Sequence, residues 1–231
     1  MPESPFVIRY ELTLPGPKKV SFRIALDPKT LVNLSPPPAD PPEWAALKFE
    51  KCPNCSLDEA ATPCCPVARY LSEVVRGFSD AFSYDRVSVR VTVPERAYEQ
   101  SNLPMQAALS SLLGIYMVTS GCPVLGRMGP MVRFHLPFAS ELETLVRASS
   151  MYLLRQYLIG KAGGDSDWSL QGLAEEYRAT AEVNRAFARR LRAATPSDAN
   201  VNALIRLDTF AQSMPESIDS HLEEVAFVFG G

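Results

Sequence analysis

The sequence predicts an α+β protein in which a small antiparallel sheet of about three strands packs on a helical bundle, with a cysteine metal knuckle beside the sheet. Three segments of the first 100 residues alternate strictly between apolar and polar side chains. After residue 137, by contrast, only Pro196 and Pro215 interrupt long stretches with apolar residues at helical spacing. We expect one domain over residues 1–231, with residues 1–100 forming the sheet and knuckle and residues 101–231 the helical part of the same core.

The strands are predicted from period-two alternation, because successive side chains of a strand point to opposite faces of the sheet. Residues 6–14 direct Ile8, Tyr10 and Leu12 inward, and residues 20–26 repeat the pattern after a turn at residues 15–17. The clearest strand covers residues 86–93, where four valines alternate with polar residues. Four arginines occupy the polar face, which we expect to face solvent or a protein partner: Arg9, Arg23, Arg86 and Arg90.

The helices are predicted from apolar stripes and from start and stop signals. Residues 66–78 and about 105–120 carry such stripes, and Ser140 with Glu143 forms a capping box that opens a helix ending near residue 159. The middle of that helix, residues 151–154, is apolar all round, which predicts a central position. The longest helix covers residues 169–193, Asp198 can cap another, and Pro215 can start a last short one.

Charge and composition exclude several classes of function. The net charge of -3 gives no basic excess for a phosphate backbone, and the aromatic Tyr10 and Phe22 point inward rather than onto a base-stacking face. Nucleic-acid binding is therefore not expected. The sequence has no apolar run of membrane-spanning length and no signal-peptide pattern at its start, so we expect a cytoplasmic protein that does not enter a membrane.

The five cysteines lie together in the chain, all between Cys52 and Cys122. Thiols stay reduced in the cytoplasm, where clustered cysteines indicate metal binding or redox chemistry rather than disulfides. Residues 52–55 form a C-x-x-C knuckle whose two thiolates can reach one ion. Pro66 suits the first position of a helix, which makes Cys65 its N-cap, where the helix dipole favours a thiolate.

Zinc is the metal that this set of residues favours. Cys52, Cys55, Cys65 and Cys122 would give four sulfurs, which satisfy the tetrahedral preference of zinc. Iron, alone or in a cluster, is the second choice, and free core cysteines are the alternative to any metal. The fourth sulfur, from Cys122, follows the helix stop at Gly121 and comes from far along the chain.

The predicted function is a structural zinc site in an interaction or regulatory module, because four sulfurs would leave no open position for a substrate. The alternative is an iron- or thiol-dependent redox enzyme or sensor that uses the same cysteines with His135. His135 is either a hydrogen-bonded core residue or a reserve ligand, and residues 119–140 around it form the best candidate pocket. The sequence contains no G-x-S-x-G or H-E-x-x-H motif, so no reaction is predicted.

Several segments resemble an uncharacterised family of bacterial proteins, over about residues 44–210. In that family the second cysteine element is a single Cys followed by Pro, which matches Cys65 and leaves Cys64 as the extra one. The resemblance implies no activity, but it supports the grouping of the four predicted ligands and His135 as a reserve. The matching segments are KCPNCSL at 51–57, CPVA at 65–68, SY at 83–84, TSGCP at 119–123, RFHLPFAS at 133–140 and SMYLL at 150–154.

Overall fold

The four strands form one antiparallel sheet. The computed structural model describes residues 4–195, 198–220 and 222–230. Within them the strands are β1 (Phe6–Thr13), β2 (Lys19–Leu26), β3 (Arg86–Val93) and β4 (Arg96–Pro104), in the order β2-β1-β3-β4. Each neighbouring pair is antiparallel, with Tyr10 of β1 opposite Phe22 of β2 and Val91 of β3.

The alternation predicted for the first three strands is confirmed. Ile8, Tyr10 and Leu12 of β1 are buried, and the residues between them are exposed. The valines of β3 are buried in the same way. These side chains share one core with the apolar faces of two helices, so the sheet has one packed face and one polar face.

The sequence predicts about three strands, and β4 is the strand that this prediction omits. β4 has the sequence RAYEQSNLP, and most of its side chains are exposed at the edge of the sheet, so no apolar alternation marks it. Backbone pairing with β3 holds it instead, across an irregularity between Val87 and Val89. Asn102 lies at this point in the left-handed region, with φ 58°, which Asn tolerates better than most residues.

The described residues also form seven α-helices and three short 3-10 segments. A 3-10 segment at Glu43–Ala45 precedes the cysteines, and others lie at Leu125–Met128 and Phe227–Phe229. The α-helices are α1 (Pro66–Gly77), α2 (Met105–Thr119), α3 (Gly129–Arg133), α4 (Glu141–Lys161), α5 (Gln171–Ala194), α6 (Asp198–Asp219) and α7 (Glu223–Ala226).

The predicted starts of α1 and α4 are confirmed, but two predictions about the later helices are wrong. Ser140 and Glu143 form both hydrogen bonds of the capping box at the start of α4. The middle of α4 is not central, because Leu154 is 59% exposed. Pro215 starts no new helix: it is buried inside α6, where packing offsets the loss of one backbone hydrogen bond.

The buried residues fall into two clusters. The larger lies between the sheet and α1 and α2 and extends to Phe187 of α5 and Leu204 of α6. The smaller joins α4, α5 and α6 around Tyr152, Tyr177 and Met214. In the described part of the chain, no helix combines the length and apolarity that crossing a bilayer requires.

Candidate functional site

The C-x-x-C knuckle is a tight turn attached to α5. The N–H of Cys55 donates to the carbonyl of Cys52 at 3.0 Å, which closes the turn. The side chain of Asn54, inside the knuckle, donates from Nδ2 to the carbonyl of Ala179 at 2.9 Å. This contact between residues 125 positions apart attaches the turn to the middle of α5.

Cys65 lies at the N-cap of α1, with Pro66 at the start of the helix, as predicted. Its own N–H donates to the carbonyl of Ala45 at 2.8 Å, so the 3-10 segment Glu43–Ala45 fixes its backbone. The backbone N–H groups of Val67 and Ala68 act on its thiol and lower its pKa, against the larger effect of burial, which raises it. Cys65 makes no side-chain capping hydrogen bond with the described residues, so these amide groups act on its sulfur through their dipoles at the start of α1.

Cys122 has the same local arrangement. It too is followed by a proline, and the N–H groups of Val124 and Leu125 act on its thiol. As at Cys65, burial is the larger influence and raises the pKa. Two sequence-distant Cys-Pro turns therefore present sulfurs in similar settings, each with amide donors two and three residues further on.

The structure brings the four predicted cysteines together and leaves the fifth apart. Each of the six pairs among Cys52, Cys55, Cys65 and Cys122 is close enough for the thiolate charges to interact. Cys64 takes part in none of these interactions, and its backbone instead pairs with Ala46. All five cysteines are free thiols.

The cluster is electrostatically unfavourable for charged thiols by itself. Burial, followed by repulsion from the other three sulfurs, raises the pKa of Cys52 to about 12. Among the described residues, no three His, Cys, Asp or Glu side chains are spaced as a formed metal-ligand group. The four thiols are thus neighbours rather than a closed coordination shell, and their role as ligands stays a prediction.

A buried arginine accompanies the cluster. Arg190 of α5 is 1% exposed and donates to the carbonyls of Trp44 at 2.5 Å, Ala46 at 2.8 Å and Leu47 at 3.4 Å. In the described part of the chain it forms no ion pair with a carboxylate. Besides Glu50, the groups whose negative charge would act on it are the thiols of Cys52, Cys55 and Cys65.

Only a weak sequence signal marks Arg190 as a buried residue. The predicted face of α5 runs through Leu173, Tyr177 and Asn184, and Arg190 is not on it. A second buried stripe of α5 has the spacing i, i+3, i+4, i+7 of a packed helix face, and it consists of Val183, Ala186, Phe187 and Arg190. A charged residue at the last position of such a stripe marks a buried cation that needs polar partners.

His135 lies in a different environment from the cysteines. Its Nε2 is 2.5 Å from the hydroxyl of Tyr10, which also contacts Oγ of Ser111 at 2.7 Å. Burial, and then the positive charge of Arg147, lower the pKa of His135 to about 3, so the ring is neutral. No thiol is among the groups that shift its pKa.

The arginines of the sheet lie on one exposed face, as predicted. Arg9 and Arg23 are directly opposite each other on β1 and β2. Arg90 is in an ion pair with Glu99 of β4, and Arg86 donates to the carbonyl of Asn102 at 3.2 Å. Two of the four cations are therefore engaged at the β4 edge, and a partner for this face stays a prediction.

The fold and the site together define an α+β protein with a four-stranded antiparallel sheet, a helical body and a group of four cysteines, of which Cys65 is buried and the others are partly buried. The chain belongs to the family described as Domain of unknown function (DUF6901), which it matches over residues 8–230. That match confirms the expected resemblance to an uncharacterised family. No curated protein and no solved structure matches the chain.

Proposed function

We propose that Cys52, Cys55, Cys65 and Cys122 hold one structural zinc ion and that the protein is an interaction or regulatory module rather than a catalyst at the metal. The observation that carries the proposal is the mutual proximity of these four sulfurs, which come from three separate parts of the chain. Free core cysteines from separate parts of the chain would not need to lie within electrostatic reach of one another. Four thiolates match the donor set of a closed tetrahedral zinc site.

The backbone around the cluster supports a metal-thiolate centre. Amide N–H groups act on the thiols of Cys65 and Cys122, and such donors stabilise sulfur that carries negative charge. Prolines directly after Cys52, Cys65 and Cys122 restrict the backbone beside each of these ligands. Both features fix the position of a sulfur before any ion arrives.

The burial and charge of Arg190 are independent support for the same proposal. Four thiolates with one divalent ion carry a net charge of about -2, which is costly to bury without a cation nearby. Arg190 is buried beside these thiols and has no carboxylate ion pair in the described part of the chain. A negatively charged metal centre and a buried guanidinium would therefore stabilise each other.

The ion would act through folding. It would tie the irregular residues 43–65 and the turn at Cys122 to α5, and its binding free energy would add to the stability of the fold. Zinc has no redox chemistry, so a structural zinc site would give these cysteines no catalytic role. The redox alternative that uses His135 would place its ring at the cluster, whereas the ring contacts Tyr10.

Metal analysis of two matched variants tests the proposal. Protein purified without added metal should carry about one zinc per chain, and Cys55→Ser should lose both the zinc and most of the cooperative unfolding transition. Cys64→Ser should keep both, because Cys64 lies outside the cluster. A colourless protein that contains metal would indicate zinc, whereas visible absorption would indicate iron or haem.

Two results would contradict the proposal. One is metal-free protein with every thiol titratable and an unchanged melting curve after treatment with a chelator. The other is equal loss of metal in Cys55→Ser and Cys64→Ser, which would show that the four-cysteine grouping is wrong.

A further inference from the structure

A cavity of about 440 Å³ lies where the sheet edge meets the helical body. Its walls come from β4, α2, α4, α5, α6 and some of the residues in the segment 125–139. The volume falls in the range of small-molecule binding sites. The structure describes all five cysteines, and none of them lines the cavity, so it is separate from the proposed zinc site.

Most of the wall is apolar and adaptable. Three methionines, Met117, Met128 and Met131, line it, together with Phe138 and Phe210. Methionine side chains are flexible and polarisable and adjust to ligands of different shape. The wall therefore suits a flexible apolar chain rather than a polar or sugar-like ligand.

One side of the cavity carries an unpaired cation. The guanidinium of Arg147 donates from Nη1 to the carbonyl of Phe134 at 3.0 Å, and its buried Nε has no hydrogen-bond partner among the described residues. No carboxylate forms an ion pair with Arg147 in that part of the chain. Glu143 is near enough to influence it, but its carboxylate accepts from the N–H of Ser140 at 2.8 Å in the capping box.

Neutral hydrogen-bonding groups lie near this cation. His135 and Ser111 line the cavity, and both contact the hydroxyl of Tyr10. The His135 ring is neutral, so this group adds no charge. Among the described residues that line the cavity, the charged ones are Arg147, Arg206 and Glu141, with a net charge of one positive unit.

We propose that this cavity binds an aliphatic monocarboxylate, with the carboxylate on the guanidinium of Arg147 and the alkyl chain among the methionines. A guanidinium pairs with a carboxylate through two parallel N–H donors, and Arg147 has donors unused. A single negative charge neutralises the wall, whereas an alkylammonium would meet an unpaired cation. An alcohol of equal length would fill the apolar part but leave Arg147 without a partner.

Calorimetric titration of the purified full-length protein tests the ligand class. The probes are hexanoate, octanoate and decanoate below their micellar concentrations, with 1-octanol and octylammonium for comparison. The affinity should rise about fourfold for each added methylene until the cavity is filled. Octanoate should bind at least about tenfold more tightly than the alcohol or the amine.

Arg147→Met tests the position of the carboxylate, because methionine keeps the apolar stem and removes the charge. Octanoate affinity should fall at least about thirtyfold, the scale of a lost charge-assisted contact. The matched control is Arg133→Met, which removes an exposed arginine that pairs with Glu95 at 3.1 Å and does not line the cavity. Its affinity for octanoate should equal that of the unmodified protein.

Three outcomes would overturn the proposal: no saturable binding of any alkanoate, equal binding of octanoate and octylammonium, or unchanged octanoate affinity in Arg147→Met. If Arg147→Met does not fold, the comparison of carboxylate, alcohol and amine on the unmodified protein decides the question alone. The zinc content of each sample is measured in parallel. Failure of alkanoate binding in zinc-loaded protein therefore contradicts only this inference and leaves the zinc proposal standing.

Discussion

At the scale of single residues, Arg190 fixes much of the irregular front segment. Its guanidinium donates to the carbonyls of Trp44, Ala46 and Leu47, and residues 45–47 in turn pair with residues 63–65. A buried cation needs several such acceptors to offset its loss of water. One side chain of α5 therefore organises the backbone that presents Cys65.

Replacing Arg190 with methionine should destabilise the protein by about 3 kcal/mol, because buried carbonyls lose their charged donor. The measurement is the free energy of unfolding in urea. The control is Arg189→Met, one residue away, which removes an exposed ion pair with Glu50 at 2.9 Å and should cost less than about 1 kcal/mol. Equal effects of the two substitutions would show that the carbonyl contacts of Arg190 contribute little.

At the scale of elements, two helical glycines have opposite surroundings. Gly114 lies inside α2, where an added Cβ would meet Leu207 Cδ2 at 3.7 Å, an ordinary contact. Gly172 lies in the first turn of α5, where an added Cβ would come within 2.2 Å of Oη of Tyr152 and 3.2 Å of Asp167 Oδ2. The carboxylate of Asp167 accepts hydrogen bonds from both the Tyr152 hydroxyl and the Gly172 N–H, each at 2.8 Å.

Gly114→Ala should therefore raise the stability by about 0.5–1 kcal/mol, since alanine is the better helix former and the space accepts it. Gly172→Ala should lower it despite the same gain in helix propensity, because Tyr152 and Asp167 must separate. Thermal unfolding of both variants checks the pair. If both substitutions changed the stability in the same direction, helix propensity rather than packing would decide the outcome at these positions.

Local sequence signals predicted the elements unevenly. The apolar alternation of β1 to β3 and the capping box of α4 are encoded within a few residues, and they appear as predicted. β4 was not predicted because its sequence shows no apolar alternation. The continuous α6 was not predicted because Pro215 is typical of a helix start. Pairing with β3 stabilises the polar β4, and burial of Pro215 keeps α6 continuous.

At the scale of the whole molecule, the Tyr10 hydroxyl joins distant parts of the chain. It contacts Ser111 of α2 and His135 in the segment after α3, which are 101 and 125 residues away. Burial raises the pKa of Tyr10, so the phenol stays protonated. The contacts link the sheet to two parts of the helical body through neutral groups.

This arrangement predicts a stability that falls on acidification. The folded state holds the pKa of His135 at about 3, below the value near 6.5 of an unfolded chain. Between these pH values the unfolded state binds more protons, so the free energy of unfolding decreases as the pH falls below about 6.5. His135→Gln removes the titrating group and should give a smaller loss of stability between pH 7 and pH 5, measured as the urea midpoint at each pH. An equal fall of the urea midpoint in both proteins between pH 7 and pH 5 would contradict the assignment of this pH dependence to His135.

The amino-acid sequence was enough to predict which cysteines to group, where three strands and the start of α4 lie, and which sheet face carries the arginines. These features depend on residue type and short spacing. Only the folded structure shows that the four thiols lie within electrostatic reach of one another and of Arg190, and that Arg147 and His135 line one cavity. The physical reason is that burial and electrostatic contact depend on distances between residues far apart in the chain, which no local pattern encodes.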